Sequence, residues 1–315
     1  FERRRNPVMA EVQLANLVKM ESPQAVWEEA FYILDRFFGH IDPSGLRSAF
    51  SETVSLYCGK WPEMRACSTD YHDLKHVTDC FLAMIRLLHG AAETGIGFSP
   101  RQVYQGLIAA LLHDTGYLQS REDRDGSGAK YTACHVKRSM DFIRRHRTVF
   151  GLQAGEAEAC MTMVRCTDIV CDPASLTFAD KNTERIAKLL ATADIMAQMA
   201  DRTYLEKLLF LFHELDEARI HLFDGEVELL VRSRDFYARM ADRFENQLSS
   251  VNRFMIHHFK TRWKIDADLY QRAMDNQQAY LADILERAED DPRNWLRRQR
   301  IVERVRSKYN RTSSD

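Results

Sequence analysis

Residues 99–117 read SPRQVYQGLIAALLHDTGY, a pattern typical of a capped amphipathic helix. Ser99 suits the N-cap, and Pro100 suits the first helical position, where no backbone N–H is needed. Apolar residues then recur every three or four positions, at Val103, Leu107, Ile108 and Leu111. The stretch therefore predicts a helix that ends in an adjacent histidine and aspartate, His113 and Asp114.

Helical spacing recurs through the 315 residues, and strand-like alternation is never long enough to build a sheet. Glycine (13) and proline (7) are scarce, as long helices require. Further helices are predicted over residues 24–38, 46–57, 72–89, 131–146, 151–165, 184–199, 204–215, 226–246, 249–262 and 267–288. The sequence thus predicts an all-α, single multi-helix bundle. We expect an N-terminal helical extension (1–45), a core (46–250) and C-terminal helices packed on the core (251–315).

Composition narrows the class of protein. The 44 basic and 46 acidic residues nearly cancel, so nothing in the overall charge favours nucleic acid or an anionic membrane as a partner. The seven cysteines are odd in number and form no CxxC pair, which favours reduced thiols and a cytoplasmic protein. No apolar run approaches the roughly 18 residues of a membrane span. Because the first residue is Phe1, we expect a fragment of a longer protein, with a fused regulatory domain or a homo-oligomer as its setting.

Three separated stretches carry imidazoles and carboxylates. His72 and His76 are four residues apart and would share one face of a helix. Asp194 lies inside one apolar stretch, and the His113–Asp114 pair lies at the end of another. Such a mixed set suits a divalent metal ion. Since desolvating a lone carboxylate costs several kcal/mol, buried aspartates need a partner, either a metal or, as the alternative, arginines in buried salt bridges.

These motifs resemble those of a known superfamily. His76, the His113–Asp114 pair and Asp194 follow the His…His-Asp…Asp signature of the HD-domain metal-dependent phosphohydrolases. The likeness is nearest to the class I cyclic-nucleotide phosphodiesterase branch and covers about residues 50–250. It is carried by Tyr71-His72-Asp73-Leu74-Lys75-His76, which has Asp73 where that branch has asparagine, by Cys166-Thr167-Asp168-Ile169 and by Thr192-Ala193-Asp194-Ile195.

The resemblance implies a function for each motif. His72 would be the general acid, and the metal ligands would be His76, His113, Asp114 and Asp194. The ion would be one or two of Mg, Mn, Fe or Zn. The core at 46–250 would then be an HD-type catalytic core that hydrolyses a small phosphorylated substrate, a phosphodiester such as a cyclic nucleotide. A nucleotide phosphomonoesterase and a catalytically inactive sensor or scaffold module are the alternatives.

The chain departs from that family pattern at several positions. Tyr117 stands where the phosphodiesterase motif His-Asp-x-x-His ends in histidine, and a family glutamate falls near Thr132. The purine-recognising glutamine has no counterpart before Phe236, which leaves base selectivity open. A second ion would need other residues, and the candidates for that ion or for phosphate contacts are His135, Glu122, Asp123 and Arg121. A single ion fits the sequence equally well.

Residues 293–311 are strongly basic, with Arg297, Arg298, Arg300, Arg304, Arg306 and Lys308 opposed only by Glu303. This stretch would either dock an anionic partner or neighbouring domain, or form a solvated helix face.

Overall fold

The structure, a computed structural model, describes residues 12–39, 41–287 and 291–309. Over these residues it contains twelve α-helices and no strand, which confirms the all-α prediction. Their bounds are α1 Pro23–Phe37, α2 Pro43–Tyr57, α3 Leu74–Glu93, α4 Pro100–Leu112, α5 His135–His146, α6 Ala154–Arg165, α7 Lys181–Met199, α8 Tyr204–Glu217, α9 Glu226–Asn246, α10 Met255–Trp263, α11 Leu269–Arg287 and α12 Ile301–Tyr309. None of these helices is long and apolar enough to cross a membrane.

Helix α3 is the centre of the bundle. Every residue from His76 to Ala91 is buried, and the helix contacts α1, α4, α7 and α10. A helix that is buried all round must find apolar neighbours on every side, and these four provide them. Helices α4 and α7 also contact each other. The three helices that carry the predicted metal ligands are therefore mutual neighbours.

The start of α3 differs from the prediction. The side chain of Asp73 accepts a hydrogen bond from the backbone N–H of His76 (2.8 Å) and so acts as the N-cap. Aspartate is a preferred N-cap because it satisfies an otherwise unpaired N–H. The helix consequently begins at Leu74, and His72 lies before it. The prediction that His72 and His76 share one helical face is wrong.

Two other predicted helices begin as 3₁₀ turns. Residues Gly128–Cys134 form a 3₁₀ helix that leads into α5, and Val251–Phe254 form another before α10. The close approach of Gly128 to a neighbouring backbone shapes the first of them, because a Cβ at this position would lie 1.9 Å from the carbonyl oxygen of Tyr117. The proposed division at residues 45 and 250 stays a prediction.

Within the basic C-terminal stretch, Ile301–Tyr309 form α12, which packs on α8, and residues 310–311 lie outside the described part of the chain. Arg304 lies 3.6 Å from a carboxylate oxygen of Asp70, and Lys308 lies 2.5 Å from the other. The ring of Tyr309 stacks on His213 of α8, with ring centroids 3.8 Å apart. These basic residues therefore contact the body of the protein.

Candidate metal centre

Two histidines and an aspartate meet where α3, α4 and α7 come together. His76 lies in the first turn of α3, His113 caps the C-terminus of α4, and Asp114 follows it. All three are buried, and donor atoms from each lie within 4.8 Å of one another, so this group could hold a metal ion. Asp194 reaches the same place from the middle of α7.

The distances between donor atoms suit one ion. His76 Nε2 lies 3.2 Å from His113 Nε2, 3.3 Å from Asp114 Oδ2 and 3.1 Å from Asp194 Oδ1. His113 Nε2 lies 3.4 Å from Asp114 Oδ2 and 3.6 Å from Asp194 Oδ1. At metal–ligand distances of about 2.1 Å, neighbouring donors lie about 3.0 Å apart in an octahedral shell and about 3.4 Å apart in a tetrahedral one.

Neighbouring groups orient these ligands. The Nδ1–H of His113 donates to the carbonyl oxygen of Ala110 (2.9 Å), which leaves Nε2 of the neutral ring with a lone pair toward the cluster. Asp194 Oδ1 accepts from Gln198 Nε2 (2.8 Å), and Gln198 in turn accepts from the hydroxyl of Tyr71 (3.0 Å). Asp114 Oδ2 is buried and has no hydrogen-bond partner in the described part of the chain. Such an orphaned oxygen fits a metal ligand.

Without a metal ion, the net charge of the cluster depends on which of its four side chains are protonated. Burial lowers the pKa of His76, but the neighbouring carboxylates of Asp114 and Asp194 outweigh it and raise the pKa to about 9. Burial likewise opposes protonation of His113, yet the charge of Asp114 raises its pKa well above the usual range. Against the opposing effect of burial, His113 lowers the pKa of both aspartates. Across residues 12–39, 41–287 and 291–309 no arginine pairs with either aspartate, so the salt-bridge alternative is wrong.

His72 is held beside the cluster by a glutamate from α8. Its Nδ1 lies 2.7 Å from Oε2 of Glu214, whose Oε1 accepts from the backbone N–H groups of Asp70 (2.8 Å) and Tyr71 (2.7 Å). Glu214 is 2% exposed. No motif in the sequence predicted a role for Glu214. The only local signal was a glutamate inside an apolar helix, the same signal that singled out Asp194.

Tyr117 stands between two histidines. Its ring stacks on His72, with centroids 4.3 Å apart and an interplanar angle of 12°, and on His135, at 4.6 Å and 21°. Its hydroxyl oxygen lies 3.4 Å from His72 Nε2. His135 donates from Nδ1 to the carbonyl oxygen of Thr132 (2.7 Å), and its Nε2 lies 3.8 Å from Asp114 Oδ1. Tyr117 therefore contacts both histidines, whose own ring centroids lie 6.3 Å apart.

The other predicted contacts form a separate network. Lys130 and the hydroxyl of Tyr131 both donate to the carboxylate of Asp123. Arg121 donates to the carbonyl oxygens of two residues in the 59–61 turn. Glu122 is exposed. Of the four candidates for a second ion or phosphate, the structure brings only His135 to the cluster.

Comparison with known proteins yields one family. A family model described as Npun_R2479-like matches residues 120–244, which include Asp194, His135 and Glu214 but exclude His76, His113 and Asp114. No curated protein matches the chain. No solved structure matches it either. The description of this family names no activity.

Proposed function

We propose that this protein is a metal-dependent phosphohydrolase that acts on a phosphodiester of a nucleotide. The proposal rests above all on one observation: two imidazoles and two carboxylates from three helices meet at distances that suit a single ion. The HD-type motifs of the sequence support the same chemistry. The nucleotide assignment rests on those motifs alone.

His76, His113, Asp114 and Asp194 would hold the ion. Their two carboxylates balance its double charge, and the orphaned oxygen of Asp114 gains a partner. A bound divalent ion lowers the pKa of water from about 15.7 toward 7 and polarises a phosphoryl oxygen. The side chains of Asp194 and His72 are each 13% exposed and that of His135 is 25% exposed, so the cluster lies near the surface on this side.

His72 would protonate the leaving oxygen. Glu214 accepts at Nδ1 and so directs Nε2 away from itself, toward the side where Tyr117 and the cluster lie. The ring centroids of His72 and His76 are 6.1 Å apart, which leaves His72 outside the ligand set but within reach of a substrate bound there. A histidine positioned in this way contributes about 10²- to 10⁴-fold as a general acid.

We further propose that the centre binds one ion. The ring of Tyr117 stacks on those of His135 and His72, and a phenol at this position withholds the ligand that a histidine would supply to a second site. The same contact motivates a second candidate function. The hydroxyl of Tyr117 lies beside Nε2 of His72, the atom that would donate the proton. The alternative is therefore a sensor or scaffold that binds metal without turnover.

Metal content and turnover test the proposal together. Elemental analysis of protein purified without chelators should find one divalent ion per chain. Hydrolysis of bis(p-nitrophenyl) phosphate and of p-nitrophenyl phosphate separates diesterase from monoesterase activity. His72→Ala should keep the ion and lose activity about 10²- to 10⁴-fold, whereas Asp114→Asn should lose both.

The matched control is His221→Ala, which removes an exposed histidine. It should change neither metal content nor turnover. Wild-type protein without metal would contradict the proposal as a whole. Metal in the wild type with no hydrolysis of either ester, or of a panel of cyclic and linear nucleotides, would favour the sensor.

A further inference from the structure

Tyr71 contacts two separate parts of the site, one on the metal side and one on the side of His72. It lies in the turn that leads into α3 and is 5% exposed. Its hydroxyl contacts a side chain of α7, its backbone N–H contacts a side chain of α8, and its ring contacts the neighbouring imidazole. One buried residue thus joins the elements on which the proposed metal ligands and the proposed general acid depend.

The hydroxyl of Tyr71 orients a metal ligand through an amide. It donates to Gln198 Oε1 (3.0 Å), and Gln198 Nε2 donates to Asp194 Oδ1 (2.8 Å). An ionised carboxylate only accepts hydrogen bonds, so the amide has to turn its nitrogen toward Asp194 and its oxygen toward Tyr71. The oxygen that receives this bond is the one that lies 3.1 Å from His76 Nε2. The hydroxyl therefore helps to hold the cluster-facing oxygen of Asp194 in place.

The backbone N–H of Tyr71 contacts the carboxylate that holds His72. It donates to Glu214 Oε1 (2.7 Å), and Oε2 of the same carboxylate lies 2.7 Å from His72 Nδ1. The ring of Tyr71 also meets the ring of His72 edge-on, with centroids 4.9 Å apart and an interplanar angle of 69°. Two parts of Tyr71 therefore fix the place of His72, and the hydroxyl takes part in neither contact.

We propose that Tyr71 is a positioning residue that sets Asp194 and His72 relative to each other. Its hydroxyl acts on the metal site through Gln198, and its backbone and ring act on His72. The inference rests on the metal centre of the proposed function and assigns no chemical step to Tyr71. Removing a hydrogen-bond partner behind a metal ligand typically costs about 10- to 100-fold in metal affinity, so loss of this network has a measurable effect that does not depend on turnover.

Calorimetric titration of the full chain with Mn²⁺ tests the contact with the metal site. Gln198→Met, which cannot hydrogen-bond, should bind Mn²⁺ about 10- to 100-fold more weakly. Tyr71→Phe removes only the hydroxyl and should bind it about 2- to 10-fold more weakly. The double variant should bind no more weakly than Gln198→Met, because the hydroxyl acts through the amide. The matched control is Tyr237→Phe, which removes a buried hydroxyl without a hydrogen-bond partner in the described part of the chain and should leave the affinity unchanged.

Proton NMR of the full chain, treated with chelator, tests the contact with His72. The Nδ1–H of His72, held by Glu214, should give a downfield signal that His72→Ala removes. Tyr71→Phe keeps the ring and the backbone N–H, so the signal should stay in place. Tyr71→Ala removes the ring, and the signal should shift or broaden. Should Tyr71→Ala fail to fold, as judged by circular dichroism, Mn²⁺ binding by Tyr71→Phe still decides.

The outcomes separate this inference from the proposed hydrolase. Equal Mn²⁺ affinity in Tyr71→Phe and in the control would overturn the inference, as would a double variant weaker than Gln198→Met by the full effect of Tyr71→Phe. An unchanged His72 signal in folded Tyr71→Ala would overturn it as well. The expected losses of Mn²⁺ affinity in a protein that hydrolyses neither ester would support the inference and reject the hydrolase. A wild type that binds no Mn²⁺ would overturn both.

Discussion

Raising the pH from 6.5 to 9 should destabilise the protein without metal and strengthen its binding of metal. In the metal-free protein His76 has a pKa raised to about 9, against an ordinary value near 6.5 in the unfolded chain. Below pH 6.5 both states are protonated, and the full stabilisation by Asp114 and Asp194 is present. Between 6.5 and 9 the unfolded chain has lost the proton that the folded one keeps.

The size of the effect follows from that window. Each pH unit costs about 1.4 kcal/mol for one such group, so His76 alone loses about 3 kcal/mol from pH 6.5 to 9, and His113, whose pKa is also raised, acts in the same direction. At roughly 2–4 °C per kcal/mol, this contribution should lower the melting temperature by about 6–12 °C. The low pKa values of the two aspartates describe the same contacts, so they are not added to this figure.

Metal binding has the opposite dependence on pH. A histidine ligand must be neutral, so the ion displaces the protons that His76 and His113 would otherwise hold. The apparent affinity should therefore rise about ten-fold per pH unit for each displaced proton. The difference in stability between metal-loaded and metal-free protein should widen as the pH rises.

Thermal unfolding at pH 6.5, 7.5 and 8.5, with chelator or with excess Mn²⁺, measures both trends. Asp194→Asn is the variant to compare, because it removes one proposed ligand, and its two curves should lie closer together at every pH. A metal-free melting temperature that stays level or rises over this range would refute the reasoning. So would a gap between loaded and metal-free protein that narrows with pH.

Three further outcomes are expected. Gly116→Ala should lower the free energy of unfolding in urea by at least about 3 kcal/mol, because its Cβ would lie 1.9 Å from a backbone carbonyl oxygen. The control Gly155→Ala should not lower it, because a Cβ there meets nothing within 4 Å. Equal urea midpoints for the two variants would contradict this prediction. His89 and His258 are buried with their Nδ1 atoms 2.9 Å apart, and burial lowers the pKa of His89 to about 4 and that of His258 well below 6.5. Between pH 6.5 and 4 the two histidines are protonated in the unfolded chain but stay neutral in the folded one, so the free energy of unfolding should fall as the pH falls. A variant with leucine at both positions should lose less stability over that range. Tyr117→His should raise the metal content from one to two ions per chain by elemental analysis, and one ion in both proteins would argue against a blocked second site.

Much of the fold was predictable because its signals are local. Serine, aspartate and proline at helix starts, with apolar residues at helical spacing, place most helices within a few residues of their observed bounds. Where local rules compete, the prediction failed. Asp73 can extend a helix or cap it, and capping places His72 outside α3.

The site was predictable only in part. His76, His113 and Asp114 were found because histidines and aspartates beside apolar runs are conspicuous, and these three do come together. Glu214 contacts His72 across 142 residues of sequence, and no spacing rule reports so distant a pairing. Asp123 looked available for a ligand, yet its partners Lys130 and Tyr131 follow it within eight residues.

Helix α8 contacts both α12 and His72. One stripe of this helix presents Phe210 and His213 to α12 and Glu214 to His72. A version of the chain that stops before residue 301 would expose the rings of Phe210 and His213. It would also leave the carboxylate of Asp70 without Arg304 and Lys308. A truncated version of this chain should therefore retain α12, because α12 packs on the helix whose Glu214 holds His72.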